Sequence, residues 1–189
     1  GFPLAYVLAR TQTRFKNAGS NAGDESWTIP VRLKISDGKN TQTRVVVLDK
    51  PEKKVEVSGK VDWIMPDQDG VGYYRWVVPT DMMMKLASDP DKTMSKRERT
   101  RFLGNARSLL NAGEISGQEY LAIASAMAAH PEPEIITSVI SDLGSLAVPF
   151  VTPDLMEPFE RYVRKTLGPA RERYGIGPKP DDSVAVHLM

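Results

Sequence analysis

The apolar residues of this chain change their spacing at Pro79, and this change constrains the fold more than any other feature. Before Pro79 they recur at every second position, which is the period of a strand with one buried face. After Pro79 they recur at every third or fourth position, which is typical of helices that bury one stripe. The sequence therefore predicts a β domain over residues 1–80 and the first part of a helical domain over residues 81–189.

The first half contains six candidate strands, with turn sequences and no helical stretch between them. In the clearest one, Ile29, Val31, Leu33 and Ile35 alternate with polar side chains. The other candidate strands are PLAYVLA, TRVVVL, KVEV, VDWIM and GYYRWVV. Short alternating strands joined by turns are typical of antiparallel sheets packed face to face, so we predict an antiparallel β-sandwich.

Two serine–glutamate pairs in the second half predict helix starts. Ser95 with Glu98, and Ser116 with Glu119, have the spacing of capping boxes, in which each side chain bonds a free backbone N–H of the first turn. The two predicted apolar stripes have the same spacing and comprise Phe102, Leu103, Ala106, Leu109 and Leu110, then Tyr120, Leu121, Ala124, Met127 and Ala128.

Two further helices are predicted, one from about Pro133 and one from Thr152–Pro153. Their stripes comprise Ile135, Ile136, Val139, Ile140 and Leu143, then Leu155, Phe159 and Val163. A last candidate helix begins at Asp181–Asp182. We interpret the second half as a superhelical array of helical hairpins. Because such arrays usually end in a capping element, we expect this one to continue beyond Met189.

The sequence offers little catalytic chemistry. It has no cysteine, and its two histidines, His130 and His187, lie far apart with no glutamate following either. A zinc peptidase needs two histidines one helical turn apart and a neighbouring glutamate. The nucleophile-elbow, P-loop and dinucleotide-binding motifs are also missing from the sequence. We therefore predict no catalytic, cofactor-binding or metal-binding residue and no cofactor in this chain.

Charge and hydropathy narrow the possible partners. The formal net charge is +1, which is not the basic excess typical of nucleic-acid binding. No apolar run approaches the roughly 20 residues that a membrane-spanning helix needs. We therefore predict neither a nucleic-acid partner nor a membrane span.

Four polar or flexible groups of residues each allow a functional interpretation, and for each we favour a structural one. The charged run Lys96–Arg101 is interpreted as the solvated face of a helix rather than a phosphate site. The run Met82–Lys85 is interpreted as packing at a domain junction. Glu132 and Glu134 are interpreted as residues of a helix N-terminus, where the helix dipole favours negative charge, rather than as a metal site. His130 is interpreted as a residue of a helix C-terminus, where it interacts favourably with the dipole.

The segment VGYYRWVV, residues 71–78, contains three aromatic side chains, and we call it the aromatic segment. It is either a strand on which nucleic-acid bases stack or a strand of the β-sandwich. In RNA-recognition strands the basic residue precedes the glycine, whereas here Arg75 follows Gly72. In a sandwich strand, alternation would place Tyr74, Trp76 and Val78 on one side and Tyr73, Arg75 and Val77 on the other. One side would then be core, and the other could pack against a neighbouring domain.

Several short motifs, taken in order, resemble the C-terminal part of the alanyl-aminopeptidase-type zinc metallopeptidases. They comprise Gly1–Pro3, Arg14–Phe15, Trp27–Val31, Trp63, Gly72–Arg75 and Arg101–Gly113, followed by the linker-like stretch LGPARERYGIGPKPDD. The chain departs from the family pattern after Arg75, where WVVPTD replaces the more typical Val-Asn-Tyr-Asp.

The resemblance implies a β-sandwich followed by a superhelical domain that covers an active-site cavity. In that family the zinc-binding H-E-x-x-H helix, the G-x-M-E-N strand and the transition-state tyrosine all precede the sandwich, so no catalytic role transfers to any residue here. Zinc is expected in a catalytic domain that this chain lacks. The implied partners are that domain, further C-terminal helices and, through the parent enzyme, peptide substrates.

With this resemblance we interpret Tyr74 and Trp76 as closing the sandwich core, and Tyr73 and Arg75 as facing a domain junction. The leading functional hypothesis is a non-catalytic C-terminal fragment of a zinc aminopeptidase that removes N-terminal residues from peptides. Its expected role is to support and cover the substrate cavity. A freestanding protein-interaction module without an attached enzyme is the main alternative, and single-stranded nucleic-acid binding through the aromatic segment is a weaker one.

Overall fold

The computed structural model describes residues 5–11, 19, 27–175 and 177. Within these residues five strands precede six α-helices, so the predicted order of β structure followed by helices is confirmed. The strands are β1 (Ala5–Thr11), β2 (Ile29–Ser36), β3 (Thr41–Leu48), β4 (Glu52–Ser58) and β5 (Trp63–Met65). The helices are α1 (Thr80–Ser88), α2 (Pro90–Thr93), α3 (Lys96–Ala112), α4 (Gly117–Ala128), α5 (Pro133–Phe150) and α6 (Met156–Tyr174). A 3-10 turn, Gln68–Gly70, follows β5.

The described strands form two antiparallel sheets. β2 lies between β3 and β5 in one sheet, and β1 pairs with β4 in the other. The predicted alternation of β2 is confirmed, because Val31, Leu33 and Ile35 are buried while Arg32 and Lys34 are partly exposed. The first core cluster combines residues of both sheets and comprises Val31, Leu33, Ile35, Val46, Leu48, Val55, Val57 and Ile64.

Residues 72–78 do not form the sixth strand that the sequence predicts. The segment pairs with no strand in the part of the chain that the structure describes, and it bends at Tyr73 and Tyr74. The predicted alternation is nevertheless present: Trp76 and Val78 are buried and Tyr74 is half-buried, while the intervening Tyr73, Arg75 and Val77 are exposed. The alternation therefore reflects packing against the helices rather than a place in a sheet.

The predicted place of Trp76 in a sandwich core is wrong as well. Trp76 belongs to the second core cluster, which is mainly helical, and its ring centroid lies 6.1 Å from that of Phe102 in α3. Tyr74 is half-buried and contacts both clusters. The segment thus packs mainly with residues of the helices, and Tyr74 connects it to the first cluster.

Both predicted capping boxes are confirmed. Ser95 and Glu98 begin α3, and Ser116 and Glu119 begin α4, with reciprocal side-chain bonds in each box. α3 ends at Ala112 and is capped by Gly113, whose φ of +76° lets its N–H reach the carbonyl groups of the last turn. These signals act within one turn of chain, which is why the sequence alone located the helix starts.

The predicted apolar stripes are largely confirmed, with two exceptions. Ile140 and Leu155 are exposed, whereas the remaining predicted stripe residues are buried or half-buried. α6 begins at Met156 instead of Thr152–Pro153, because residues 153–155 form a turn in which the Leu155 N–H bonds the Thr152 carbonyl at 2.9 Å. The candidate helix at Asp181–Asp182 lies outside the described residues.

The sheet and the helices share side chains at their boundary. In β5, Ile64 packs into the first cluster while Trp63 and Met65 pack into the second. Met82 of α1 contacts both clusters. The division into domains at residue 80 stays a prediction. No helix among the described residues is long and apolar enough to cross a membrane.

Candidate functional site

Polar side chains of α3 connect the helices to the β region, and we call this set the α3 junction. It comprises Glu98, Arg99, Arg101 and Asn105 of α3 with their partners Lys34, Asp67, Asp91 and Glu132. Seven of these eight residues are buried or half-buried, and Asp91 alone is exposed. Lys34, Asp67 and Glu132 are far from their α3 partners in sequence, so the junction is assembled only on folding.

Asn105 holds the aromatic segment in place. Its Oδ1 accepts the Trp76 N–H at 3.0 Å, and its Nδ2 donates to the Trp76 carbonyl at 2.7 Å. All four groups are buried. A side chain of α3 thus supplies the two bonds that a neighbouring strand would supply in a sheet, because buried backbone groups need partners.

Glu98 joins three parts of the chain through its buried carboxylate. It accepts the backbone N–H of Ser95 at 2.7 Å, the backbone N–H of Asp69 at 2.8 Å and the Lys34 ammonium at 3.0 Å. Lys34 also donates to the Thr93 carbonyl at 2.9 Å. Burial alone would raise the pKa of Glu98, but these donors outweigh it and hold the pKa below its usual value.

The lowered pKa of Glu98 predicts a stability contribution that depends on pH. A carboxyl whose pKa is lower in the folded state stabilises the fold above its unfolded pKa, near 4.5, and loses that effect as the pH falls through its folded pKa. We expect Glu98→Gln to lower the free energy of unfolding by about 2 kcal/mol at pH 7, since hydrogen bonds to a charged group are lost. Urea unfolding between pH 7 and pH 3 measures this.

The difference between wild type and Glu98→Gln should shrink as the solution is acidified below pH 4.5. Glu114→Gln is the matched control, because Glu114 is exposed just after α3. Its substitution should change stability by less than about 0.5 kcal/mol at every pH. A gap between wild type and Glu98→Gln that stays constant down to pH 3 would contradict the assigned role of the Glu98 carboxylate.

Arg99 is the centre of a second group of charges. Its Nε donates to Glu132 Oε2 at 2.8 Å, and its Nη1 donates to Asp91 Oδ1 at 2.9 Å and to the Met94 carbonyl at 3.0 Å. Arg99 and Glu132 are both buried. Lys96 adds a second cation, 3.3 Å from Glu132 Oε1. These bonds connect α2, α3 and the turn before α5.

His130 lies beside the Arg99 group, just after the end of α4. Its Nδ1 accepts the Glu132 N–H at 3.2 Å, and its Nε2 lies 3.0 Å from Asp91 Oδ2. The adjacent His130 side chain, followed by Arg99, lowers the pKa of Asp91. His130 thus has two local partners, and its predicted interaction with the helix dipole stays a prediction. His187 lies outside the described residues.

Arg101 fixes the turn that precedes the aromatic segment. Its Nη2 donates to the Gly72 carbonyl at 2.6 Å, and its Nε lies 3.8 Å from Asp67 Oδ2. The other oxygen of Asp67 accepts the Gly72 N–H at 2.7 Å. Gly70 has a φ of +59°, and a Cβ there would lie 2.8 Å from Cγ of Arg101, so only glycine fits this close approach.

The interpretation of Lys96–Arg101 as a solvated helix face is wrong. Lys96 and Arg97 are exposed, but Glu98 and Arg99 are buried and Arg101 is half-buried. Its buried and half-buried side chains face the β region and the α4–α5 turn, where they bond oppositely charged side chains and backbone groups. The predicted packing of Met82–Lys85 is confirmed for the methionines, since Met83 is fully buried between half-buried Met82 and Met84. That they lie at a domain junction stays a prediction. Glu132 and Glu134 stand at the start of α5, as predicted.

The contacts of the α3 junction hold separate segments of the chain together. Each charged residue of the α3 junction contacts another protein group at ion-pair or hydrogen-bond distance. Among residues 5–11, 19, 27–175 and 177, no group of three or more histidine, aspartate and glutamate side chains is placed to hold a metal ion. What the α3 junction can do is fix the orientation of α3 relative to the sheet.

Sequence reasoning missed Asn105, Glu98, Arg99, Asp67 and Glu132 as members of one site. For Asn105 a signal was available: it lies between Phe102 and Ala106 in the predicted buried stripe of α3, where an unpaired amide is costly. The ion pairs carry no such local signal, because Lys34 is 64 residues from Glu98 and Glu132 is 33 residues from Arg99.

The family model of the ERAP1-like C-terminal domain matches residues 63–189, about two thirds of the chain. The chain belongs to this family. The match relates the chain to the aminopeptidases and supports its resemblance to their C-terminal region. No curated protein matches the chain.

The matched range of the ERAP1-like C-terminal domain begins at Trp63, the first residue of β5. It therefore contains β5, the aromatic segment and all the described helices, while β1 to β4 precede it. Of the α3 junction residues, only Lys34 lies outside the matched range. The contacts of the α3 junction are thus made chiefly by residues of the ERAP1-like C-terminal domain itself.

Proposed function

We propose that this chain is a non-catalytic C-terminal part of a zinc-dependent aminopeptidase, which removes N-terminal residues from peptides. In that enzyme the helical array would support and cover the substrate cavity. The family match supports the relation to aminopeptidases. The observation that carries the proposed role is the α3 junction, because a wall that shapes a cavity must keep a fixed orientation.

The two sheets support a sandwich as the base of this wall. Val31, Leu33 and Ile35 of the three-stranded sheet share one buried cluster with Val55 and Val57 of the two-stranded sheet. Side chains of two sheets that interdigitate in one core are typical of a β-sandwich. We propose that the two sheets are its facing layers.

Zinc belongs to the proposed enzyme and does not fit the described residues of this chain. Their histidine, aspartate and glutamate side chains form no metal-ligand group, and the acidic residues of the α3 junction already contact arginine and lysine. We therefore assign zinc to a catalytic domain that is separate from this chain, and we assign no catalytic step to any residue here.

The helical array offers a surface suited to a peptide chain. Stacked helical hairpins form an extended concave surface, and a peptide held by its N-terminus at a metal extends away from it. In the described helices, α3 contacts both α4 and α5, and α6 contacts α4 and α5, so the hairpins pack side by side. A change at the α3 junction should therefore alter the treatment of long peptides first.

The test uses Asn105→Ala in the full-length enzyme that this proposal implies. Loss of the two buried bonds to Trp76 should loosen the array without unfolding it, at a cost of about 1–3 kcal/mol. We expect kcat/KM for a nine-residue peptide to fall about three- to tenfold, and kcat/KM for a single-residue reporter to change by less than about twofold. Rates on a ladder of peptide lengths measure this.

Arg97→Ala is the control, because Arg97 is exposed on the same helix. It should leave every rate unchanged. A uniform loss at all lengths, with zinc content and fold intact, would mean that the array supports the catalytic centre instead. A full-length protein that cleaves no aminoacyl reporter would favour the freestanding interaction module.

A further inference from the structure

Among the described strands, β3 lies at an edge of its sheet. It pairs with β2 on one side, and no described strand pairs with its other side. Exposed edges of this kind are templates for a further strand, because they present a row of unpaired N–H and C=O groups. The register of the β2–β3 pair determines which residues of β3 point their backbone N–H and C=O groups to this edge.

The hydrogen-bonded pairs of β2 and β3 follow from the turn that joins them. Asp37 donates its N–H to the Asn40 carbonyl at 3.1 Å, and this pair continues the register Ser36↔Thr41. Hydrogen-bonded and non-hydrogen-bonded pairs alternate along an antiparallel ladder. Gln42, Arg44 and Val46 therefore bond β2, while the backbone groups of Thr41, Thr43, Val45 and Val47 point to the edge. Pro30, which lacks an N–H, stands opposite Val47 in a non-bonded pair, as this pattern requires.

The edge-facing residues are also exposed through their side chains. Thr41 and Thr43 are exposed, and Val45 and Val47 keep 58% and 44% of their surface accessible. All four are β-branched, the type that packs best against the side chains of a neighbouring strand. The edge thus offers both the backbone bonds and the side-chain row of a strand-binding site.

Two cationic side chains flank this edge and bond backbone carbonyls. Lys53 of β4 donates to the Val47 carbonyl at 2.7 Å, and Arg44 of β3 donates to the Glu56 carbonyl of β4. Each side chain reaches from one strand to the other across the two sheets. A strand that replaced these contacts would have to offer acceptors to Arg44 and Lys53.

The charges around the edge select the kind of partner. Between residues 39 and 56 there are five cationic side chains, Lys39, Arg44, Lys50, Lys53 and Lys54, against three acidic ones, Asp49, Glu52 and Glu56. We propose that the β3 edge from Thr41 to Val45 binds an extended acidic peptide segment, which adds a strand to the sheet. Its backbone bonds Thr41, Thr43 and Val45. Its carboxylates pair with Arg44 and with Lys53, which exchanges its present partner Asp49, 3.1 Å away, for a carboxylate of the peptide.

A second copy of this chain fits the edge less well. Two β3 edges that paired with each other would bring Arg44 and Lys53 of one copy close to those of the other. Like charges on neighbouring strands are destabilising, and edge lysines are a common protection against such pairing. The same cations that oppose self-association favour an acidic strand.

The test is an NMR titration of the full ¹⁵N-labelled chain with the capped peptide Glu-Val-Glu-Val-Glu-Val. The amide signals of Thr41, Thr43 and Val45 should shift and exchange more slowly with solvent, while those of Gln42 and Arg44 should stay protected. The matched peptide Lys-Val-Lys-Val-Lys-Val should bind at least about tenfold more weakly, and 0.5 M salt should weaken binding of the acidic peptide.

Thr43→Pro removes one edge N–H without touching the β2 ladder, and it should weaken binding at least about tenfold, whereas Thr43→Ala should not. If Thr43→Pro does not fold, an acidic peptide that is N-methylated on alternate residues replaces it as the test of backbone pairing. Equal binding of acidic and basic peptides would overturn the proposal, as would full binding by Thr43→Pro or the N-methylated peptide. Sedimentation that shows dimers lost in Thr43→Pro would make a second copy the occupant and overturn it as well.

Discussion

Replacing Trp76 by alanine is expected to lower the free energy of unfolding by about 3–5 kcal/mol. The indole keeps only 8% of its surface accessible and packs against Phe102, with ring centroids 6.1 Å apart. Truncation would leave a cavity between the aromatic segment and α3, because the backbone of Trp76 is fixed there by Asn105 and cannot collapse into the space. Urea unfolding followed by far-UV circular dichroism measures the loss.

Tyr73→Ala is the matched control, since Tyr73 is an aromatic residue of the same segment that is fully exposed. Its substitution should change the free energy of unfolding by less than about 1 kcal/mol. Similar small losses for both variants would show that Trp76 is not part of the core. They would restore the segment as a candidate stacking surface for single-stranded nucleic acid.

The helix starts could be predicted from the sequence because the relevant interactions are local. In both capping boxes the serine and the glutamate are three residues apart, and the structure shows their reciprocal bonds. The start of α6 was misplaced by a few residues for the converse reason. Thr152–Pro153 has the composition of a helix start, but the chain makes a turn there before Met156.

The aromatic segment shows what alternation can and cannot predict. The sequence correctly placed Trp76 and Val78 on a buried side and Tyr73 and Arg75 on the opposite side. That Tyr73 and Arg75 face a domain junction stays a prediction. The sequence could not identify what covers the buried side. A strand in a sheet and an irregular segment packed on helices can both show a burial period of two. They differ in which group bonds the backbone. Here that group is the side chain of Asn105.

The α3 junction could not be predicted from the charge run that contributes to it. Glu98 and Arg99 follow directly after exposed Lys96 and Arg97, and nothing in the run separates the buried pair from the exposed pair. The difference depends on Lys34, Asp69 and Glu132, which approach α3 only in the folded chain. A charge run next to an apolar stripe is therefore compatible with both a solvated face and a buried junction.

Replacing Arg99 by methionine is expected to destabilise the fold by about 3–5 kcal/mol, comparable with the effect of Trp76→Ala. The side chains of Arg99 and Glu132 are only 11% and 8% accessible, and their charges lie 2.8 Å apart. Methionine fills much of the same space but leaves the Glu132 carboxylate buried with Lys96 as its remaining cation, 3.3 Å away. The loss therefore comes mainly from an insufficiently compensated charge rather than from a cavity.

The double variant Arg99→Met, Glu132→Leu separates the two causes. Removing both charges leaves no buried carboxylate without a partner, so the double variant should recover at least about half of the stability lost in Arg99→Met. Arg97→Met is the control on the same helix and should change stability by less than about 0.5 kcal/mol, because Arg97 is exposed. Urea midpoints of the wild type and the three variants complete the cycle. A double variant as unstable as Arg99→Met would mean that Arg99 stabilises the fold through Asp91 and the Met94 carbonyl, and that its pair with Glu132 contributes little.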